Sequence, residues 1–208
     1  MKEKEYGYRA NWNWIVTSVI IVAICTTLVI YCPAEHEFDW MVLKSVREFL
    51  GQFPSYIPLF FSEFGMSYNM FWPIFAACCA LCSNQKYLKA FLLIFFVEAS
   101  YYLNMLIKDF VCRERPCGDA YPGFSFPSNH AATETCFLGI CIYLIWHYTR
   151  NTFWRYFLSI FLGLYLIMVC VSRMWLNHHF PVDVFAGFFM GIFCVNLYII
   201  SCKFFDRA

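Results

Sequence analysis

Histidines and fixed charges are concentrated in two short stretches of this chain. The first, "KDFVCRERPCGDAYPGFSFPSNH" at 108–130, holds a lysine, two arginines and a terminal histidine. The second, "SRMWLNHHFPVD" at 172–183, places two adjacent histidines between an arginine and an aspartate. Arginine's planar fork and lysine's ammonium suit phosphate oxygens, and an imidazole can attack phosphorus. The two stretches therefore predict chemistry on a phosphoryl group.

Two imidazoles and a carboxylate could divide the steps of such a reaction. One imidazole attacks phosphorus, the carboxylate fixes its tautomer, and the second imidazole protonates the leaving oxygen. Cations neutralise charge on the equatorial oxygens, and removing one such contact typically costs about 3 kcal/mol in the transition state. The candidates are Lys108, Arg115, Ser128, Asn129 (through its backbone N–H), His130, Arg173, His178, His179 and Asp183. This scheme needs no cofactor and no metal.

A metal site is the main chemical alternative for the same residues. Its ligands would be His130, His178, His179 and Asp183. The three neighbouring cations would repel a divalent ion. We therefore predict that no metal is bound.

The composition predicts that these residues are carried by a membrane protein. The chain has 208 residues, of which 61% are hydrophobic and 14% charged, against about 25% charged in an average soluble domain. A helix crosses a bilayer with about 20 apolar residues, and backbone groups in lipid must be satisfied within the segment. The predicted spans are about Asn13–Tyr31, Gly65–Ser83, Lys89–Ile107, Ala131–Tyr148, Phe153–Val171 and Pro181–Cys202.

We therefore predict an all-α, polytopic membrane protein with six transmembrane helices in a single domain, 1–208. No small-residue cleavage pattern follows the first span, so we expect it to stay a span. Between the first two spans, Val42, Val46, Phe49, Leu50 and Phe53 recur at helical spacing. They predict an amphipathic helix in the membrane interface, either a connector packed on the bundle or a guide for lipid.

Six spans place both catalytic stretches on one side of the membrane. The stretch at 108–130 joins the third span to the fourth, and the stretch at 172–183 joins the fifth to the sixth. Ser128 and the N–H groups around Asn129 and His130 lie where the fourth helix begins, which favours an anion. The topology thus predicts one pocket built from four helix ends.

The distribution of charge predicts the orientation. The side that holds both termini carries nine of the fifteen Lys and Arg residues: Lys2, Lys4, Arg9, Lys86, Lys89, Arg150, Arg155, Lys203 and Arg207. Positive residues favour the cytoplasm, so we expect cytoplasmic termini in an inner (plasma) membrane and an active site facing the periplasm or exterior. The net charge of +1 gives no indication of a nucleic-acid partner.

Three motifs resemble those of the type 2 phosphatidic acid phosphatase family. "KDFVCRERP" fits K-x6-RP, "PSNH" is close to PSGH, and "SRMWLNHHFPVD" fits SR-x5-H-x3-D, in the family's order. They cover the chain from Lys108 to Asp183. The six-span layout also looks like that family's integral membrane branch.

The resemblance implies a role for each residue that matches a motif. His179 corresponds to the nucleophile, Asp183 to its orienting acid and His130 to the general acid. Lys108, Arg115, Ser128 and Arg173 correspond to phosphate ligands, whereas His178 falls on an unassigned position. Asn129 stands where the family usually has glycine, and we count it with the phosphate-binding loop because asparagine tolerates a left-handed backbone.

The implied function is a membrane lipid phosphatase that works through a phosphohistidine. Undecaprenyl diphosphate is our first expected substrate, because "FSFPSNHA" looks similar to bacterial undecaprenyl diphosphate phosphatases. Phosphatidylglycerol phosphate, phosphatidic acid and lipid A are alternatives that the family also handles. Transfer to another lipid, or an anion-binding or transport protein without catalysis, are the other hypotheses.

A few further residues carry expectations of their own. We expect Arg113 and Glu114 to be solvated or paired with each other, and Cys112 and Cys117 are candidates for a disulfide on the outer side. Glu98 and Glu134 are functional candidates, because carboxylates are costly inside a bilayer. Gly187 and Gly191 have the spacing that lets another helix approach closely.

Overall fold

The computed structural model describes residues 2–64 and 67–206, and in these ranges the regular structure is helical. The α-helices are α1 (Lys2–Tyr31), α2 (Pro33–Leu50), α3 (Tyr56–Phe64), α4 (Ser67–Ser83), α5 (Tyr87–Val111), α6 (Asn129–Tyr148), α7 (Thr152–Trp175) and α8 (Pro181–Phe205). A 3₁₀ turn at Gly118–Ala120 lies in the long connection between α5 and α6. The prediction of an all-α protein is confirmed.

Four helices are long and apolar enough to cross a membrane. They are the Ala10–Tyr31 part of α1, and α5, α7 and α8 over their full lengths. The second predicted span begins at Gly65, outside the described residues, and its described part is a shorter apolar helix, Asn69–Ser83. The fourth predicted span corresponds to α6, which is not among the four and whose first turns carry Glu134 and two threonines. Six spans therefore remain a prediction.

Helices α6 and α8 form the centre of the bundle, with α1, α5 and α7 packed around them. Glycines bring the two central helices together. A Cβ at Gly187 would lie 2.4 Å from the Ser128 carbonyl oxygen, and one at Gly191 would lie 2.4 Å from Thr135 Cβ. The close approach predicted for these two glycines is confirmed, and it fixes the start of α6 against α8.

The predicted amphipathic helix corresponds to α2. Asp39 and Leu43 are buried against the bundle, whereas Met41 and Phe49 are exposed. The buried side of α2 contacts α7 and α8. The helix and its packing on the bundle are observed, whereas its place in the membrane interface and its role as connector or lipid guide remain predictions.

The connection after α5 differs from the sequence-based expectation at its cysteines. Helix α5 ends at Cys112, which has φ 52° and donates its N–H to the Lys108 carbonyl oxygen at 3.0 Å. Cys112 and Cys117 are both free thiols. The suggested disulfide between them is therefore wrong. The left-handed turn ends the helix one turn after Lys108, the lysine of the first motif.

Candidate active site

The ends of α5, α6, α7 and α8 meet at one side of the bundle, as the two-stretch topology predicts. A cavity of about 540 Å³ lies there. Six of the predicted site residues line it: Lys108, Arg115, Asn129, His130, Arg173 and His179. The cavity continues along α4 and α5 past Met70, Ile74 and Glu98, so one space joins the cations to the apolar interior.

His179 is positioned by the way α7 ends. Asn177 adopts a left-handed backbone with φ 61°, a conformation that asparagine tolerates better than most residues. The chain then turns back, and the N–H groups of His178 and His179 both donate to the Arg173 carbonyl oxygen, at 3.0 and 3.2 Å. The spacing between the arginine and histidine of the third motif is thus set by a helix C-terminal turn.

The contact between His179 and Arg115 indicates which ring nitrogen of His179 carries the proton. Arg115 Nη1 lies 3.1 Å from His179 Nε2. A guanidinium can only donate, so Nε2 is the unprotonated nitrogen and the ring proton lies on Nδ1. The lone pair of Nε2 therefore points to the side where Arg115 and the cavity lie.

His179 is held in its neutral form. Its side chain is 2% exposed, and burial lowers its pKa to about 3. The positive charge of Arg173 acts in the same direction, whereas Asp183 opposes it. A neutral imidazole is the form that can act as a nucleophile.

Asp183 lies at the start of α8, behind His179. Pro181 opens the helix, as expected for a first helical position. Asp183 Oδ2 accepts the Phe180 N–H at 2.8 Å and the Ser125 hydroxyl. His179 Nδ1 lies 3.6 Å from the same oxygen and has no hydrogen-bond partner. The acid is adjacent to the imidazole but beyond hydrogen-bond distance of Nδ1.

Arg173 is the least satisfied polar group of the site. The residue is 1% exposed, and its Nη1 donates to the Ser62 hydroxyl of α3. Its Nε and Nη2 are buried and have no acceptor among the described residues, and its Cζ lies 5.8 Å from the centroid of the Tyr121 ring. Buried donors of a charged group that lack acceptors are destabilising. The guanidinium therefore calls for an anion in the cavity.

Lys108 and Arg115 hold the loop that closes the site. Lys108 Nζ donates to the carbonyl oxygens of Phe124 and Ser125, at 2.7 and 3.1 Å. Arg115 Nε donates to the Gly123 carbonyl oxygen at 2.8 Å. Burial lowers the pKa of Arg115 from its ordinary value, but a guanidinium remains charged. Both cations line the cavity while they tie the loop together.

The start of α6 differs in detail from the expectation for Ser128 and Asn129. Ser128 is the N-cap and accepts the Ala131 N–H at 3.5 Å; it does not line the cavity. Asn129 is the first residue of the helix and is not left-handed. Its Oδ1 accepts from Asn104 Nδ2 at 2.5 Å. Asparagine thus fits here because its amide bonds to α5, and no left-handed backbone is needed.

The ring of His178 contacts a cavity-lining tyrosine. It packs on Tyr121, with ring centroids 4.2 Å apart, and burial lowers its pKa to about 4. Its carbonyl oxygen accepts from Arg115 Nη1 at 2.8 Å. His178 therefore contributes its backbone to the site, and Tyr121 covers Arg115 with 4.7 Å between Cζ and the ring centroid.

The expectation for Arg113 was wrong. Arg113 is buried and pairs with Asp183 and Asp39, whereas Glu114 is exposed. The motif pattern leaves this position open, so only the tertiary structure reveals it. Three further residues belong to the site but lie outside the three motifs: Ser62, Tyr121 and Ser125. Among the described residues, no group of three or more His, Cys, Asp or Glu side chains is arranged to hold a metal ion.

Comparison with protein families places this geometry. The model of the PAP2 superfamily matches residues 87–204, which run from the start of α5 to the end of α8 and include every motif residue. The chain belongs to the PAP2 superfamily. The match covers the helices that meet at the cavity, so the resemblance of the three motifs to the type 2 phosphatidic acid phosphatase family is confirmed.

Individual relatives are similar over different shares of this superfamily member. Phosphatidylglycerophosphatase B of Bacillus subtilis (strain 168) is 32% identical over 96 residues, which cover 43% of this chain and 46% of that protein. The alignment with this curated relative thus spans about half of the relative's length. The similarity carries family membership and leaves the substrate of the present protein to be argued.

Two crystal structures share the fold of this PAP2 chain. The first transmembrane PAP2 type phosphatidylglycerolphosphate phosphatase from Bacillus subtilis superposes with a TM-score of 0.80 at 21% identity, covering 91% of this chain and 96% of that one. Aquifex aeolicus LpxE superposes with a TM-score of 0.57 at 23% identity, covering 79% and 94%. The arrangement of all the helices, beyond the 87–204 region, is therefore that of a membrane PAP2 protein.

Proposed function

We propose that the protein is a membrane lipid phosphatase that works through a phosphohistidine at His179. One observation carries this proposal. Arg173 presents two buried donor atoms without an acceptor in the same cavity as a neutral imidazole. A phosphoryl group would satisfy the guanidinium and meet a nucleophile at once.

In the first half-reaction, Nε2 of His179 forms a bond to phosphorus and the bond from phosphorus to the lipid oxygen breaks. Arg115 must leave Nε2 and turn to the phosphoryl oxygens, where Lys108 and Arg173 also donate. His130 lines the cavity, and its buried Nε2 has no partner among the described residues. Burial and the positive charge of Arg173 lower the pKa of its ring, so it takes up a proton only when the negative charge of the bound phosphate favours the imidazolium. That imidazolium then gives the leaving oxygen its proton. The lipid alcohol, or lipid phosphate, then departs.

In the second half-reaction, water attacks the phosphohistidine, its proton returns to His130, and inorganic phosphate leaves. Phosphorylation makes the His179 ring a cation with its proton on Nδ1. Asp183 Oδ2 is 3.6 Å away, and the new charge favours closing that gap to a hydrogen bond. Asp183 thus stabilises the positive charge of the phosphorylated imidazole and remains a carboxylate when that charge disappears.

Phosphatidylglycerol phosphate is the substrate that we propose first. Phosphatidylglycerophosphatase B, a relative named for this activity, is 32% identical to the chain over 96 residues. The expectation of undecaprenyl diphosphate, drawn from "FSFPSNHA", remains the second candidate. Both lipids place a terminal phosphate on an apolar tail, as the cavity between the cations and α4 requires.

A release assay tests the proposal. Purified protein in detergent with a chelator is given phosphatidylglycerol phosphate, phosphatidic acid, lipid A and undecaprenyl diphosphate one at a time, and free phosphate is measured. We expect release from at least one lipid by wild type and none by His179→Ala. Release by His179→Ala would overturn the mechanism. Binding without release by wild type would favour an anion-binding protein, and phosphate recovered only on an added second lipid would favour transfer.

We further propose six spans in one membrane-embedded domain, cytoplasmic termini and a site on the outer face of the inner membrane. The excess of Lys and Arg on the opposite side from the catalytic stretches supports this orientation. Cys112 is exposed in the loop beside the site. An impermeant maleimide should label it in intact cells, and Cys112→Ser should remove that label. Labelling only after lysis would place the site inside.

A further inference from the structure

A chain of three buried charges lies behind the proposed nucleophile. Arg113 Nη1 lies 2.7 Å from Asp183 Oδ1, and Arg113 Nη2 lies 2.9 Å from Asp39 Oδ2. The three side chains are 7%, 0% and 3% exposed for Arg113, Asp183 and Asp39. They come from the α5–α6 connection, from α8 and from α2. None of these three residues is among those that line the cavity.

Arg113 determines which oxygen of Asp183 can face the imidazole. It occupies Oδ1, so that Oδ2 is left for the Ser125 hydroxyl, the Phe180 N–H and His179. A carboxylate with one oxygen fixed by a guanidinium cannot rotate freely about its Cβ–Cγ bond. The orientation of the acid towards His179 Nδ1 is thus set from behind.

Asp39 in turn fixes Arg113 and joins α2 to the start of α8. Its Oδ1 accepts the Val182 N–H at 3.1 Å while its Oδ2 binds Arg113. The Arg113 guanidinium also stacks on Phe180, with 4.1 Å between Cζ and the ring centroid. Trp40, the neighbour of Asp39 on α2, covers the same ring at 5.1 Å. Helix α2 therefore holds Phe180 and Val182, which lie between His179 and Asp183.

We propose that Asp39 and Arg113 are positioning residues, which act through Asp183 to hold His179 in its reactive orientation and make α2 part of the catalytic machinery. This inference rests on the proposed role of Asp183 in the phosphatase reaction. The physical reason is charge balance. Two buried carboxylates share one guanidinium, so Asp183 remains an anion that can stabilise the imidazolium, yet is not neutralised on the side that faces it.

Asp39→Asn is the sharpest test, because asparagine keeps the shape and an oxygen for the Val182 N–H but loses the negative charge on Arg113. On the lipid from which wild type releases phosphate, we expect kcat to fall about tenfold and KM to stay within about twofold, because Asp39 is coupled to Asp183 through Arg113. Asp39→Glu should recover part of kcat. Glu48→Gln is the matched control, since it removes an exposed carboxylate of the same helix, paired only with Lys44 at 3.9 Å, and should leave kcat unchanged.

A double-mutant cycle separates positioning from general structural damage. In an Asp183→Asn background, Asp39→Asn should reduce the residual kcat by less than about twofold, because the acid through which it acts has been removed. An equal fractional loss in both backgrounds would overturn the inference. So would a wild-type kcat in Asp39→Asn.

Arg113→Lys covers the case in which Asp39→Asn does not fold. Lysine keeps the buried charge but cannot contact two carboxylates in a planar fork, so we expect a folded protein with lowered kcat and normal KM. Normal kcat in this variant would also overturn the inference. If wild type releases phosphate and these variants match it, only the positioning role is refuted. If wild type is inactive on every lipid phosphate, the proposed function is refuted, and this inference with it.

Discussion

The two sides of His179 are built in opposite ways. On the Nδ1 side, Asp183 has donors on both oxygens from Arg113, Ser125 and the Phe180 backbone. On the Nε2 side, Arg173 has two buried donor atoms with no acceptor among the described residues. The carboxylate behind the ring is hydrogen-bonded on both oxygens, whereas the guanidinium in front of it is only partly hydrogen-bonded.

This difference indicates what each side does in the reaction. Polar groups that are satisfied in the empty protein form a rigid support, since they gain nothing from a ligand. Unpaired buried donors raise the free energy of the empty site and are relieved when an anion arrives. The phosphoryl group is therefore expected to satisfy Arg173 on the Nε2 side. On the Nδ1 side Asp183 keeps its donors, and only its 3.6 Å gap to His179 Nδ1 closes.

Removing the residue shared by both sides should have the largest effect. His179→Gln keeps a polar side chain of similar size but has no nucleophile, so we expect kcat to fall by roughly 10⁴-fold or more. Steady-state phosphate release is the measurement, and acid-labile versus alkali-stable labelling with ³²P-lipid checks for the phosphohistidine. Label retained in His179→Gln would place the nucleophile elsewhere.

The unsatisfied side should be the more sensitive of the two to loss of one group. Arg173→Gln removes a charge that meets the transferred phosphoryl, so we expect kcat/KM to fall by roughly 10²- to 10³-fold. Arg150→Gln, an exposed arginine just before α7, is the control and should match wild type.

Binding of inorganic phosphate checks the same comparison without turnover. Phosphate should raise the unfolding temperature of wild type, because a ligand that binds only the folded state stabilises it. Arg173→Gln should show a much smaller rise. Equal stabilisation of both proteins would mean that the anion does not use Arg173.

The satisfied side should tolerate loss of one of its donors. Ser125→Ala leaves Asp183 with Arg113 and the Phe180 N–H, so we expect only about a threefold to tenfold loss of kcat, in line with one net hydrogen bond. A loss as large as that of Arg173→Gln would contradict the proposed difference between the two sides.

Acid should weaken the folded state through the histidines themselves. Burial lowers the pKa of His179 to about 3 and of His178 to about 4, whereas an unfolded histidine titrates near 6.5. Between these values the unfolded chain binds more protons, so the free energy of unfolding falls as the pH drops below about 6.5. We expect the unfolding temperature in detergent to fall by about 5 °C between pH 7 and pH 5.

Variants identify which histidine is responsible. His178→Gln should reduce the fall, whereas His36→Gln, which changes an exposed histidine on α2, should not. An unfolding temperature that is constant or rises on acidification would contradict the lowered pKa values of His178 and His179.

Some parts of this architecture follow local rules and could be predicted, and others could not. Pro181 and the carboxylate two positions later mark the start of a helix in any context, so the beginning of α8 was predictable. The turn at Asn177 obeys equally local preferences. Arg113 looks like any charged residue of a polar loop, and its burial depends on α2, more than sixty residues earlier in the chain.

The cysteines and the two uncertain spans show the same limit. Spacing alone made Cys112 and Cys117 a plausible pair, but Cys112 has a left-handed backbone at the end of α5, Cys117 precedes a 3₁₀ turn, and both thiols are free. Hydropathy alone does not decide whether α6 spans the membrane. The helix lies in the middle of the bundle, where Glu134 and the two threonines beside it are buried.

The sequence by itself determined the helical class, the membrane-like composition, the three motifs and the identity of the histidine at the motif position, because periodicity, composition and spacing are local properties of the chain. Only the tertiary structure decided that Nε2 of His179 is the unprotonated nitrogen, that Arg173 has two donor atoms without an acceptor among the described residues, and that Asp39 and Arg113 stand behind Asp183. These facts depend on which groups from distant segments share a buried volume, and the free energy of a buried charge is set by those neighbours.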